Sequence, residues 1–98
     1  MIVAVTRNIP DKFRGFLASC MLEVAPSIYV SPSMTKAVRE RVWGVLTKWF
    51  SDVSDGSILM VYNDPAEPAG VGVMTLGLPP RHVIDADGIA LSYLAKNG

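Results

Sequence analysis

IVAVTRNIPDKFRGFLASCM, residues 2–21, decides the fold class. Ile2 to Thr6 is a short, continuous run of apolar and branched residues, the pattern of a central strand buried on both faces. Asn8 and Pro10 then announce a helix, because proline is tolerated in the first turn. Beyond them Phe13, Phe16, Leu17, Cys20 and Met21 recur at i, i+3, i+4, i+7 and i+8, one clean apolar helix face. A strand that hands over at once to an amphipathic helix makes this a mixed α and β chain.

Working outward, Ser27 to Val30 forms a second strand, and Ser31-Pro32-Ser33 a turn and helix cap. A second helix from about Met34 to Phe50 turns Val38, Val42, Val45, Leu46 and Trp49 to the core. At about 100° per residue, Arg41 and Lys48 share one flank while Trp43 and Phe50 share the other. That aromatic pair either wraps the core or offers a second packing surface. Asp55-Gly56 marks a turn, and Ser57 to Tyr62 is again a continuous apolar strand. Asn63 to Gly70, with two prolines and two acids, is a loop.

Val71, Val73 and Thr75 alternate with Gly72, Met74 and Leu76 as a strand does. Gly72 and Gly77 mark a bulge or the close approach of another backbone. Pro79-Pro80 breaks the sheet, Gly77 to Gly88 is irregular, and Ile89 to Leu94 alternates as a last short strand. The order β-α-β-α-β-β plus a trailing strand predicts a ferredoxin-like α+β sandwich, an antiparallel-rich sheet with two helices on one face. Residues 1–98 are expected to form one domain without repeat, linker or low-complexity segment. The strand over 89–94, on its irregular tether, is expected to pair away from home by edge addition, on a partner or on the other protomer.

Half of the 98 residues are apolar. A core can form, yet a chain this short leaves much apolar surface uncovered, and pairing with a second copy is the common solution. No apolar run approaches the roughly 20 residues of a membrane span, and the opening Met-Ile-Val-Ala-Val lacks the basic start of a signal peptide. The expectation is a cytoplasmic protein without a membrane partner. The single cysteine, Cys20, has no internal disulfide partner and sits in the helical stripe, as a buried thiol does.

The net charge of zero hides an asymmetry. Residues 1–49 carry Arg7, Lys12, Arg14, Lys36, Arg39, Arg41 and Lys48 against Asp11, Glu23 and Glu40. Residues 50–98 carry Arg81 and Lys96 against Asp52, Asp55, Asp64, Glu67, Asp85 and Asp87. Such a chain can hold a polyanion on one side and a basic partner on the other, or simply be solvated on both.

Catalytic motifs are missing. There is no phosphate-cradling glycine loop, no Cys/His metal spacing and no nucleophile elbow. The lone histidine, His82, follows Pro-Pro-Arg without a catalytic companion. Asp85-x-Asp87-Gly88 is a paired-carboxylate motif with three uses: capping a turn, meeting a basic partner, or holding a divalent cation. Arg7, Lys12 and Arg14 gather around the first strand end and the first helix N-terminus, a setting that favours anions. Nothing beside them suits base reading, so contacts would go to phosphates regardless of sequence.

Val3 to Pro10, Arg14-Gly15, Met21 to Val24, Ile28 to Val30, Val38 to Trp43, Gly77-Leu78, Arg81 and Asp85 to Gly88 together resemble the Cas-two family of CRISPR-associated proteins, in its type I-E form. The likeness runs in order across nearly the whole chain. It implies a homodimer at the centre of the CRISPR integrase, bridging two pairs of the catalytic Cas-one subunit while a foreign DNA duplex lies across it. The family's basic backbone clamp corresponds to Lys12, Arg14, Arg81 and Arg39. Pro80 replaces one arginine of the clamp. Glu67 and Asp87, with Leu91 and Tyr93 of the trailing strand, correspond to positions facing the partner.

The same family also implies an alternative function, a metal-dependent endonuclease with Mg as cofactor, in which an acid at the end of the first strand holds the metal. Here Arg7 stands at that position. Arginine cannot ligate a cation. The expectation is therefore a structural DNA-binding adaptor with no catalytic residues, no metal ligands and no required cofactor.

Overall fold

A computed structural model describes residues 1–79 and 81–94. Along β1 (Ile2–Arg7), Ile2, Ala4 and Thr6 are buried while Val5 and Arg7 are exposed. Side chains alternate between the faces of a strand, so one face of β1 is covered and the other is not. The strand is central, as its apolar run predicts, but buried on one side only. Both helices are on that side. Phe13 and Leu17 of α1 (Asp11–Cys20) and Val42 and Leu46 of α2 (Lys36–Phe50) share one core with Ile2, Ala4, Tyr29, Ile58, Met60 and Tyr62.

Between the helices lie β2 (Leu22–Ala25) and β3 (Ile28–Ser31), and after them β4 (Ser57–Asn63), a 3₁₀ turn at Pro68–Gly70, and β5 (Val71–Leu76). The sheet order is β2-β3-β1-β4-β5, every pair antiparallel. The first six elements, β-α-β-β-α-β, give the ferredoxin-like fold the sequence predicts, with β5 added at the β4 edge. Sequence pattern alone omits β2. Four residues that continue the apolar run of α1, with a register shift between Glu23 and Ala25, leave no clear period.

The cap of α2 also differs from expectation. Thr35, not Ser31 to Ser33, accepts a hydrogen bond from the Val38 N–H at 3.2 Å. The helix therefore starts later, and its buried stripe is Arg39, Val42 and Leu46, while Val38 is exposed. Trp43 and Phe50 pack against the core, so the aromatic flank wraps it.

The larger correction concerns 77–88. This stretch contains β6 (Arg81–Ala86), paired antiparallel with β7 (Ile89–Leu94), Arg81 opposite Leu94 and Ala86 opposite Ile89. The trailing strand pairs within its own chain. Asp87 (φ 53) and Gly88 (φ 84) form the two-residue turn between them. Asp-Gly between two apolar runs is the strongest local hairpin signal a sequence carries. It is present here, masked by the polar ends of β6 and by Pro79-Pro80.

The two glycines of β5 and its end differ. A Cβ on Gly77 (φ 76) would strike the carbonyl of Gly56, a true backbone approach. At Gly72 the space is taken by the Tyr62 ring. No helix among the described residues is long and apolar enough to cross a membrane.

Candidate nucleic-acid interface

Pro10, in an extended conformation, precedes α1 and offers no side-chain cap. Asp11, Lys12 and Arg14 fill the exposed first turn. Lys12 and Arg14 are two residues apart, hence about 200° apart around the helix. They leave along opposite flanks. Lys12 reaches to α2, its Nζ 4.9 Å from the Trp49 ring centroid and 5.9 Å from that of Phe13. Trp49 is itself held edge-on by Phe13 and Phe16, at centroid distances of 5.7 and 5.3 Å.

Arg14 turns toward the β2–β3 side of the sheet. It is ion-paired with Asp11, three residues before it, and that hydrogen bond and charge raise its pKa, with smaller contributions from Tyr29 and Glu23. Arg7 is exposed at the end of β1, lining a shallow depression with Asp55, Gly56, Ser57, Gly77 and Leu78.

Arg39 does not join these bases. It lies on the buried stripe of α2 and is only 6% exposed. Its guanidinium carbon is 3.7 Å from the Tyr62 ring centroid, its Nη2 is 3.7 Å from an Asp64 oxygen, and its Nε has no hydrogen-bond partner. One residue of helical phase explains the difference from the sequence reading, which put Val38 inside and left Arg39 outside. Arg81 opens β6, but its side chain lies outside the described residues, as do the side chains of His82 and Tyr93 and all of Pro80.

The acids lie toward the other edge. Glu67 is half-buried in the loop between β4 and β5, where it accepts the Tyr62 hydroxyl at 3.4 Å. Burial first, and the Glu67 charge second, push the Tyr62 phenol pKa up. Asp85 accepts the Gly88 N–H at 2.9 Å and so caps the hairpin turn, while Asp87 beside it is exposed. Ile84, Ile89 and Leu91 are exposed along the hairpin, which lies against β5 and the 3₁₀ turn. Since α1 packs over β2 and β3, Arg14 and these acids lie toward opposite edges of one sheet, with Lys12 turned to α2 between them.

The end of β1 does not suit a hard divalent cation. Arg7 repels one, Thr6 is buried, and the Asn8 side chain, whose N–H donates to the Asp55 carbonyl at 2.6 Å, offers a single neutral oxygen. Among the described residues no three His, Cys, Asp or Glu side chains gather. Cys20 sits over the Phe16 and Leu17 carbonyls at 3.4 and 3.7 Å, and burial raises its thiol pKa.

A family model for a CRISPR-associated protein (Cas_Cas2CT1978) matches residues 1–91. This chain belongs to that Cas-two-type, CRISPR-associated family. The match covers both helices, all strands of the main sheet and the start of β7.

Proposed function

We propose that this Cas-two-type chain is a cytoplasmic, homodimeric adaptor of the type I-E form. It would hold duplex DNA through phosphate contacts and bridge the Cas-one integrase subunits, without catalysing a reaction. The observation that carries this reading is the division of charge across one sheet. Exposed Arg14 faces the β2–β3 side and exposed Lys12 the α2 side of the same helix turn, while Glu67 and Asp87 stand at the β4–β5 edge. The first pair suits a polyanion and the second a basic protein surface.

Dimerisation is supported by the uncovered face of the sheet. Leu22, Val30, Val3, Val61 and Val73 are successive cross-strand neighbours, a row of apolar side chains spanning all five strands. Ile28, Val5, Leu59 and Thr75 form a second row beside it. No helix covers these rows, and a second copy would bury them. Lys12, Arg14 and Arg81 would serve the DNA; Glu67, Asp87, Leu91 and Tyr93 would serve the partner.

Arg39, enclosed by Tyr62 and Asp64, is left out of the DNA surface. Metal-dependent endonuclease activity with Mg is not favoured, because Arg7 stands where a carboxylate is needed. Binding of unrelated duplexes, titrated against salt, tests the main reading. Equal affinities with a steep salt dependence are expected; a preference for one sequence, or a flat salt response, would overturn it.

A further inference from the structure

Among the described residues Arg39 is the one buried charged side chain, and the DNA reading does not use it. Burying a guanidinium costs several kcal/mol unless other groups compensate. Here the compensation comes from one place. The Tyr62 ring lies 3.7 Å away on one side and Asp64 3.7 Å away on another, and both flank the acidic loop. Asp64 also accepts the Ala66 N–H at 2.9 Å.

Within the loop, the Asp64 N–H bonds the Gly70 carbonyl, the Glu67 N–H bonds the Asp64 carbonyl, and the Gly70 N–H bonds the Glu67 carbonyl, at 2.9–3.0 Å. The loop is thus braced internally by its backbone. Its ties to the helix layer run through Arg39 and Tyr62. Gly72, opposite Tyr62 on β5, lacks the Cβ that would push the ring aside.

We propose that Arg39 and Tyr62 are positioning residues: the guanidinium clamps the Tyr62 ring and Asp64, and the Tyr62 hydroxyl fixes the Glu67 carboxylate, so α2 sets where the acidic loop meets a basic partner. This rests on the reading of Glu67 as a partner contact. It assigns the buried cation to protein recognition, by way of a chain from helix to ring to carboxylate. It also explains an arginine on the apolar stripe of α2, where an aliphatic residue would serve the core alone.

The test uses the full-length protein with the Cas-one subunit of the same system. Tyr62→Phe keeps the ring and its stacking and removes the hydroxyl. Arg39→Lys keeps the charge and removes the planar fork. Glu67→Gln removes the carboxylate charge. We expect Tyr62→Phe to weaken partner association about 5-fold, the worth of one hydrogen bond, with little change in Tm.

In the Glu67→Gln background Tyr62→Phe should add nothing, because the two act through one contact. Arg39→Lys should speed hydrogen exchange at the Glu67 and Gly70 amides. Wild-type association in Tyr62→Phe, with Glu67→Gln weakened, would overturn the proposal. If Glu67→Gln binds like wild type, the partner reading itself fails. Positioning of the loop is then decided by exchange alone: unchanged protection in Arg39→Lys overturns it.

Discussion

The Lys12 ammonium stands 4.9 Å from the centroid of the Trp49 ring, tying a base on the exposed turn of α1 to the far end of α2. A cation in such a position perturbs the indole it faces. Drawing Lys12 onto a phosphate would release it. In a Trp43→Phe background, saturating duplex should therefore change Trp49 fluorescence, and Lys12→Met should abolish the change. Constant emission on binding would remove Lys12 from the DNA surface. Trp49→Ala should separately cost about 3 kcal/mol of stability in urea unfolding, since the ring is edge-packed on Phe13 and Phe16.

Arg14 is shared between Asp11 and any phosphate that approaches. Asp11→Asn frees it and removes two like charges from the DNA path of a dimer. Affinity for duplex at low salt should rise roughly 2- to 10-fold, the scale of exposed ion pairs. Arg14→Ala should act oppositely, flattening the plot of log affinity against log salt by about 2, at roughly 0.9 per phosphate contact. An unchanged slope would mean that Arg14 does not touch the backbone.

Where the sequence carries a period, it is informative. The α1 stripe, the strands β1 and β4 and the alternation of β5 appear as read, except that β1 is covered on one face only. The failures have local physical causes. Leu22 to Ala25 is too short to show a period. Gly77 to Gly88 reads as irregular because Pro79 and Pro80 interrupt it, although Asp87-Gly88 announces the hairpin. Arg39 enters the DNA surface through the family resemblance, but helical phase, set by Thr35 as cap, turns it inward. Tyr62 gave no signal at all, since its role depends on Gly72 across the sheet.

Among the described residues three weak acids titrate upward in the folded chain. Burial raises the Cys20 thiol above its usual 9.0 and, ahead of Glu23 and Glu67, raises the Tyr29 and Tyr62 phenols above 10.0. Between the ordinary and raised values the unfolded chain has lost protons that the folded chain keeps, so stability falls as pH rises. Tm should be flat from pH 7 to about 8 and decline from about 9 upward. Tyr62→Phe should soften the decline. A Tm that climbs between pH 9 and 11 would contradict these assignments.

The uncovered face of the sheet gives the sharpest test of assembly. Val3 lies between Val30 and Val61 in the row that crosses all five strands. On a free monomer surface, Val3→Glu would meet water and change little. Within a face-to-face dimer, two carboxylates would be buried opposite apolar neighbours, each without a partner, at several kcal/mol apiece. The variant should therefore elute as a monomer in size-exclusion chromatography with light scattering, while its far-UV circular dichroism stays that of the wild type. DNA affinity should drop with it, because each protomer then offers half of the cations. A variant that remains dimeric would place the contact elsewhere, on the exposed Ile84, Ile89 and Leu91 of the β6–β7 hairpin.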